Sequence, residues 1–159
     1  EVLEGTIYSR SSELHLEKVV DVRIESRYDK VFIEEVGKLG GECEFSHFKI
    51  KKLTGKLDMT TRYGSYTIKK IAKDFRRVNL TGEFTDYTLA FEEMTKAGFD
   101  VQLDYGVDFS YPQYDVEVTP DTAVTDPNSK HYTGYLGSQT DAAFVRIRTK
   151  GSYVKFDYY

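Results

Sequence analysis

The segment RYGSYTIKKI, residues 62–71, places a polar Gly-Ser turn directly before a run in which apolar and polar residues alternate. Nearly the same arrangement occurs in RYDKVFIEEV, residues 27–36, and a looser form occurs in KGSYVKF, residues 150–156. Glycine, serine and aspartate tolerate the dihedral angles of tight turns. The recurrence therefore predicts a repeat protein in which each repeat turns a corner at the same position.

Each repeat carries apolar residues at a first position and then seven, nine and twelve residues further on. The complete sets are Ile7, Leu14, Leu16 and Val19; Ile24, Val31, Ile33 and Val36; and Met59, Tyr66, Ile68 and Ile71. A fourth set keeps Phe48, Ile50 and Leu53 but has Gly41 at its first position. Successive repeats begin 17 to 21 residues apart. The alternation within them has the period of a strand with one buried face.

These repeats predict an all-β fold. The expected architecture is a parallel β-solenoid, a single-stranded β-helix of about six or seven coils whose equivalent positions stack about 4.8 Å apart. Right-handed coiling is expected, although the pattern leaves the handedness open. The alternative is an antiparallel β meander or sandwich, in which each repeat forms a hairpin. Arg10, Arg27, Arg62 and Lys150 share one register in the repeat, and such stacking of like upon like favours the solenoid.

In the solenoid, the apolar positions of each repeat fill the interior. The side chains predicted to face inward are Leu14, Leu16, Val31, Ile33, Phe48, Ile50, Tyr66, Ile68, Leu89, Val107, Phe109, Val154 and Phe156. Cys43 also lies at an apparent inward position, and we interpret it as a small buried hydrophobic residue.

The chain of 159 residues is long enough for one domain with a sizeable core. The regular repeats stop after Phe109, and residues 110–142 contain all three prolines. The pattern resumes in residues 143–159, which we interpret as a closing repeat. The prediction is a single domain over residues 1–159 with a long loop excursion before that repeat. At most one helical turn is expected, at residues 91–98.

Charge and hydropathy exclude several classes of function. The formal net charge is −4, and Lys and Arg are interleaved with Asp and Glu, so no basic stripe is available for a phosphate backbone. No apolar run approaches the roughly 18 residues of a membrane helix. The chain begins at Glu1 without Met, so we expect that a targeting segment was removed. We expect neither nucleic-acid binding nor a transmembrane segment.

The three histidines show no catalytic or metal-binding spacing. His15 and His47 lie at outward strand positions and are expected to be exposed. His131 lies in the excursion, next to Tyr132, without sequence neighbours that would complete a triad. The sequence therefore predicts no catalytic residue, no metal site and no cofactor, and a protein that is not an enzyme.

Three acids, Asp100, Asp104 and Asp108, alternate with other residues near the end of the repeats. They either form a solubilising outer face, which also discourages edge-to-edge pairing, or offer oxygen ligands to Ca²⁺. The solubilising face is the preferred interpretation.

Tyrosine gives the strongest indication of a binding surface, because exposed aromatic rings stack on sugars and protein partners. The candidate partner-binding residues are Tyr111, Tyr114, Tyr132 and Tyr135, all in the excursion. Two alternatives remain open. The corner tyrosines, such as Tyr63, form a ladder that stabilises neighbouring coils, and the excursion folds down as a cap over the last coil.

Repeats of the form YDKVFI, YGSYTI and YGVDF, followed by a polar excursion, the segment YTGYLG and the strand KGSYVKF, resemble the adhesin-like β-solenoid proteins of Bacteroides-type bacteria. The resemblance covers most of the chain. It implies an exported scaffold in the periplasm, at the outer-membrane surface or outside the cell, which binds a glycan or a surface protein without catalysis. The alternatives are a carbohydrate-active β-helix enzyme and a purely structural spacer, and the oligomeric state is left open.

Overall fold

The computed structural model describes residues 2–105 and 108–159, and these residues form an all-β protein. The strands are β1 (Val2–Arg10), β2 (Glu13–Arg27), β3 (Lys30–Glu44), β4 (His47–Ile71), β5 (Arg77–Phe91), β6 (Ala97–Asp104), β7 (Phe109–Ser110), β8 (Val116–Pro120), β9 (Ser129–Leu136), β10 (Phe144–Lys150) and β11 (Val154–Tyr158). They belong to one mixed sheet that does not close on itself. Within this part of the chain there is no helix; residues 92–96, inside the stretch 91–98 where at most one helical turn was expected, connect β5 to β6 through a turn.

The first five strands follow one another in the sheet and pair in parallel. The register agrees with the repeat spacing, because Leu14 pairs with Val31, Val31 with Phe48, and Tyr66 with Tyr87. An antiparallel meander is therefore wrong for this part of the chain. Antiparallel pairing occurs in the excursion, where β9 pairs with β6 on one side and with β8 on the other.

The closing repeat does not lie at the end of the sheet. Strand β10 pairs in parallel with β5 on one side and with β6 on the other. Strand β11 lies in the same way between β5 and β7. The last residues of the chain therefore pair between two segments that precede them in sequence.

One contiguous hydrophobic core contains ten of the thirteen residues predicted to face inward. Those that are fully buried are Val31, Ile33, Phe48, Ile50, Tyr66, Ile68, Leu89, Phe109, Val154 and Phe156. Leu14 and Leu16 are only half-buried, because β1 pairs with the part of β2 that begins at Lys18 and leaves their side of the strand uncovered. Val107 lies outside the described residues. Cys43 is buried, as predicted.

Two irregular positions in the repeat have physical causes. Gly41 stands between Ile24 and Met59 in a column of core residues and has φ +136°. A Cβ at this position would overlap the carbonyl oxygen of Ile24, so only glycine fits. The predicted column of stacked basic residues also contains Glu44, which lies between Arg27 and Arg62. The acid separates like charges that would otherwise repel one another across neighbouring strands.

The excursion is partly folded onto the core. Strands β8 and β9 form a hairpin, and Val116, Val118 and Tyr132 of this hairpin pack against core residues. Among the described residues, there is no helix with the length and apolar character needed to cross a membrane.

Candidate functional site

The four tyrosines predicted to bind a partner lie in different surroundings. Tyr111 and Tyr132 are half-buried, and their ring centroids lie 5.1 and 5.4 Å from that of Phe109. Tyr114 is 62% exposed and contacts Tyr158 instead. Tyr111 and Tyr132 therefore help to cover the core, whereas Tyr114 is available to solvent.

Tyr135 lies on the outward side of β9, beside Gly98. It lines a small depression of about 330 Å³ together with Phe144 and Thr133. The four tyrosines thus do not form one patch, and their role in partner binding stays a prediction.

A row of stacked aromatic rings lies at equivalent positions of four successive repeats. Two of the rings directly follow β2 and β3, and the other two lie within β4 and β5. We call Tyr28, Phe45, Tyr63 and Phe84 the corner aromatic ladder. Successive ring centroids are 4.9, 4.9 and 5.2 Å apart, and the ring planes differ by 6° to 9°. The predicted ladder of corner tyrosines exists in this form, with two phenylalanines that the sequence analysis overlooked. The sequence positions of the two phenylalanines could have revealed them. Every ladder residue directly follows an Arg or Glu of the same charged column.

The ladder residues share an unusual backbone conformation. All four have φ between 50° and 60°, in the left-handed region that non-glycine residues rarely occupy. Gly151, with φ +65°, continues the column beside Phe84. A Cβ on Gly151 would lie 2.6 Å from Cε1 of Phe84, so the ring covers this glycine. The conformation turns the chain sharply at each corner and aligns the rings.

Next to the ladder, two depressions of about 380 and 500 Å³ share Glu42, Cys43 and Glu44 and form one surface feature, which we call the trough. The trough extends from Tyr8 on β1 to Gln102 on β6. It therefore crosses the parallel strands rather than running along one of them.

The floor of the trough is the backbone of residues whose small side chains point inward. These residues are Ser26, Cys43, Thr61, Gly82 and Thr149, and they occupy one column of register partners. Small side chains are required because Tyr87 reaches the floor from within the core. Its hydroxyl forms a hydrogen bond with Thr61 Oγ1, and a Cβ on Gly82 would overlap it.

Cys43 in the floor is not an activated nucleophile. Burial raises the pKa of its thiol to about 12, which keeps the group protonated near neutral pH. This agrees with its interpretation as a small hydrophobic residue.

One wall of the trough is a row of alternating charges. Glu44 lies 3.1 Å from Arg27 and 4.0 Å from Arg62, and Arg62 lies 3.6 Å from Glu83. These side chains are about half exposed, so each pair contributes little to stability. Their main effect is to neutralise one another along the wall.

Strand β10 brings basic groups to the trough that remain uncompensated. Arg148 and Lys150 line it, and neither forms an ion pair within the described part of the chain. Lys150 Nζ lies 5.7 Å from the ring centroid of Tyr105. Thr60, Thr81 and Gln102 add neutral hydrogen-bonding groups beside Arg148. Glu42, Glu83 and Asp104 line the trough as well, so it offers donors and acceptors to a polar ligand, with Arg148 and Lys150 near its β6 end.

His131 has partners that the sequence analysis did not find. Its Nε2 lies 2.9 Å from Asp100 Oδ1 and its Nδ1 lies 3.0 Å from Asp121 Oδ2. The partners are 31 and 10 residues away in sequence, so no local motif contained them. Both ring nitrogens are engaged by carboxylates, which leaves neither free to accept a proton from a substrate.

The other histidines are exposed, as predicted. His15 stacks on Phe32 with ring centroids 4.8 Å apart and contacts Glu13, and His47 contacts Ser65.

The three acids have separate partners, since Asp100 contacts His131, Asp104 contacts Ser129 and Asp108 caps the amide of Phe109. In residues 2–105 and 108–159, no group of three or more His, Cys, Asp or Glu side chains has an arrangement suited to a metal ion.

Comparison of the chain with models of known protein families, with curated proteins and with solved structures gave no match. The resemblance to adhesin-like β-solenoid proteins therefore stays a hypothesis drawn from the repeat pattern.

Proposed function

We propose that this protein is a non-catalytic scaffold, coiled as a parallel β-solenoid, which binds an extended polar partner such as a glycan in the trough. The observation that carries the proposal is the trough itself, which crosses successive parallel rungs and holds an unpaired arginine among neutral hydrogen-bonding side chains.

The register of β2 and β3 supports coiling. Glu13 at the start of β2 pairs with Lys30 at the start of β3, and Arg27 at its end pairs with Glu44. A straight strand of 15 residues would span roughly 50 Å. Lys30 follows Arg27 by three residues, a reach of roughly 11 Å, and nevertheless lies beside Glu13. Strand β2 must therefore curve until its two ends approach each other.

Strand β4 gives independent support. Phe48 and Tyr66 belong to this single strand, and yet their ring centroids are stacked 4.5 Å apart. An uncoiled strand would separate them by roughly 60 Å. Since parallel crossovers are almost always right-handed, we propose right-handed coiling.

In such a coil each rung contributes one polar side chain to this side of the trough, and the neutral groups lie at its β4–β6 end. An elongated partner that lies across the rungs meets successive hydroxyl, amide and guanidinium groups from Thr60, Thr81, Arg148 and Gln102. Sugar hydroxyls satisfy both donors and acceptors of this kind, and a uronic or sulfated sugar would also pair with Arg148. The excursion tyrosines with open faces, Tyr114 above all, provide the alternative binding surface.

The proposed setting is the cell envelope, by export to the periplasm or the cell surface. It rests on the resemblance to adhesin-like proteins alone. Fractionation of source cells, followed by detection with a specific antibody, tests it; recovery in the cytoplasmic fraction would contradict it.

A glycan array combined with a pull-down from envelope extract tests the function. Arg148→Gln should weaken binding of the captured ligand at least several-fold, because a guanidinium aimed at the trough is removed. Arg77→Gln is the matched control, since Arg77 and its ion-pair partner Asp58 both lie outside the trough. It should leave binding unchanged.

Three other results of these binding assays would point to a different site or a different function. Binding that survives Arg148→Gln but is lost in Tyr114→Ala would move the site to the excursion. Turnover of an array ligand would favour a carbohydrate-active enzyme. Absence of binding in both assays would leave a structural spacer and overturn the proposal.

A further inference from the structure

The β8–β9 hairpin is joined to β6 by backbone pairing and by one side-chain cluster. The cluster consists of His131 on β9, Asp100 on β6 and Asp121, which directly follows β8. The side chains are 28%, 21% and 38% exposed in that order, so solvent reaches all three. The three groups come from three separate segments of the chain.

The geometry requires a particular protonation state. A neutral imidazole has one N–H donor and one acceptor nitrogen, whereas the imidazolium donates from both nitrogens. Carboxylates accept and do not donate when ionised. Because a carboxylate lies within 3.0 Å of each ring nitrogen, both contacts are hydrogen bonds only when His131 is protonated.

The surrounding charges fit this state. From β6, Asp100 contributes a carboxylate and Gln102, the register partner of His131, contributes a neutral amide. From the β8 side, Asp121 contributes the second carboxylate. From β10, Arg146 lies beside Asp100 and Arg148 beside Gln102, so these two positive charges are one strand further away from His131.

On its own strand, His131 follows Lys130, whose register partner is the core residue Leu103. No other carboxylate among the described residues contacts the imidazole. The cluster is thus one cation held between two anions.

We propose that His131 is a pH-sensitive latch that ties the segment after β8 to the sheet: the imidazolium holds Asp100 and Asp121 together, and loss of its proton releases one of them. The released partner is Asp121. Asp100 stays next to His131 because β6 and β9 pair over their whole length, from Ala97 to Asp104. Asp121 lies beyond the last residue of β8, where the strand ends and a single further backbone hydrogen bond, from Asp121 N to His131 O, remains.

Release would loosen residues 121–128. This segment is almost entirely exposed, and it is held near its start by the hydrogen bond from Asp121 N to His131 O. The Asp121 carboxylate also accepts a hydrogen bond from the amide of Ala123. A weakened contact between Asp121 and His131 therefore acts on the loop that joins β8 to β9.

The direction of the pH response follows from the cluster. Burial opposes protonation of His131, but the hydrogen bonds to Asp121 and Asp100 outweigh it and raise the pKa above its ordinary value. The hydrogen bond from Ala123, followed by that from His131, lowers the pKa of Asp121. A raised histidine pKa contributes stability that is fully present below about pH 6.5 and is lost as the pH rises through the folded-state pKa.

The test is an NMR titration of the full chain. The His131 ring should titrate with a pKa above the ordinary histidine value. Amide protection of residues 121–128, corrected for the intrinsic pH dependence of exchange, should fall several-fold across the same transition. Asp121→Asn should lower the His131 pKa and abolish the pH dependence of protection.

His47→Gln is the matched control and should change neither observation. The latch is overturned if His131 titrates at or below the ordinary histidine value, or if loop protection stays constant across its titration. Both of those measurements use the unmodified protein, so they decide the question even if a variant folds poorly. An unchanged response in Asp121→Asn would also count against the latch.

Discussion

Two tyrosine hydroxyls lie inside the core and differ in what they contact. Tyr87 forms a hydrogen bond with Thr61 under the floor of the trough. The Tyr66 hydroxyl is buried beside the Cys43 thiol, in a geometry that falls short of an ordinary hydrogen bond, and has no other partner within the described residues. Burial raises the pKa of both phenols, so both stay protonated. The two residues are register partners in neighbouring strands, which makes them a natural pair for comparison.

We expect the two hydroxyls to contribute to stability with opposite signs. Tyr66→Phe removes a buried group that lacks a partner and should leave the free energy of unfolding unchanged or raise it by up to about 1 kcal/mol. Tyr87→Phe leaves Thr61 without its partner and should lower that free energy by about 1 kcal/mol. Urea unfolding of both variants measures the difference. Equal losses would show that Tyr66 has a partner in solution, such as a buried water molecule.

At the scale of the strands and corners, the aromatic ladder links successive repeats. A left-handed backbone conformation costs a non-glycine residue roughly 1–2 kcal/mol. A stacked aromatic pair contributes roughly 0.5–1.5 kcal/mol beyond its buried area, and an inner ring such as Tyr63 forms two such contacts. The stacking therefore offsets the free-energy cost of the backbone conformation. This balance accounts for an aromatic residue at the equivalent position of four successive corners.

This balance predicts the order in which two substitutions of Tyr63 destabilise the protein. Tyr63→Gly loses both stacking contacts but relieves the strained conformation, so we expect a net loss of about 1 kcal/mol. Tyr63→Val loses the stacking and places a β-branched residue at φ 54°, so its loss should exceed that of the glycine variant. Thermal unfolding compares them. A valine variant as stable as the glycine variant would mean that the corner relaxes and that backbone strain is unimportant.

The strand register was predictable because it is encoded locally. Each repeat places its apolar side chains at fixed distances, and Leu14, Val31 and Phe48 pair as their spacing indicates. The partners of His131 were not predictable, because excursion residues follow no repeat and Asp100 belongs to a different element. The neighbours of β10 were not predictable either. The pattern FVRIRTK identifies a strand with one buried face, but such a strand could pair between any two strands of the regular parallel sheet.

At the scale of the whole molecule, the insertion of the closing repeat determines how β5 is joined to β6 and β7. Backbone hydrogen bonds join this segment to both sides, from Phe144 N to Arg76 O and from Gly98 N to Ala143 O. In a stacked repeat protein, stability is approximately a sum over neighbouring interfaces. The end strand β1 has one such interface, whereas the closing repeat has two.

We therefore expect unequal effects from two truncations of similar length. Deleting residues 1–12 removes the end strand β1 and one interface, so the remaining chain should unfold cooperatively at a lower temperature. Deleting residues 143–159 removes two interfaces and separates β5 from β6, so residues 97–142 should become sensitive to limited proteolysis. A synthetic peptide of residues 143–159 should restore their protection. If β6 instead stacked directly on β5, Arg77 would lie beside Gly98 and the inward pattern would be kept. That rearrangement would make the second truncation no more harmful than the first, and equal resistance of the two truncated chains to protease would contradict the prediction.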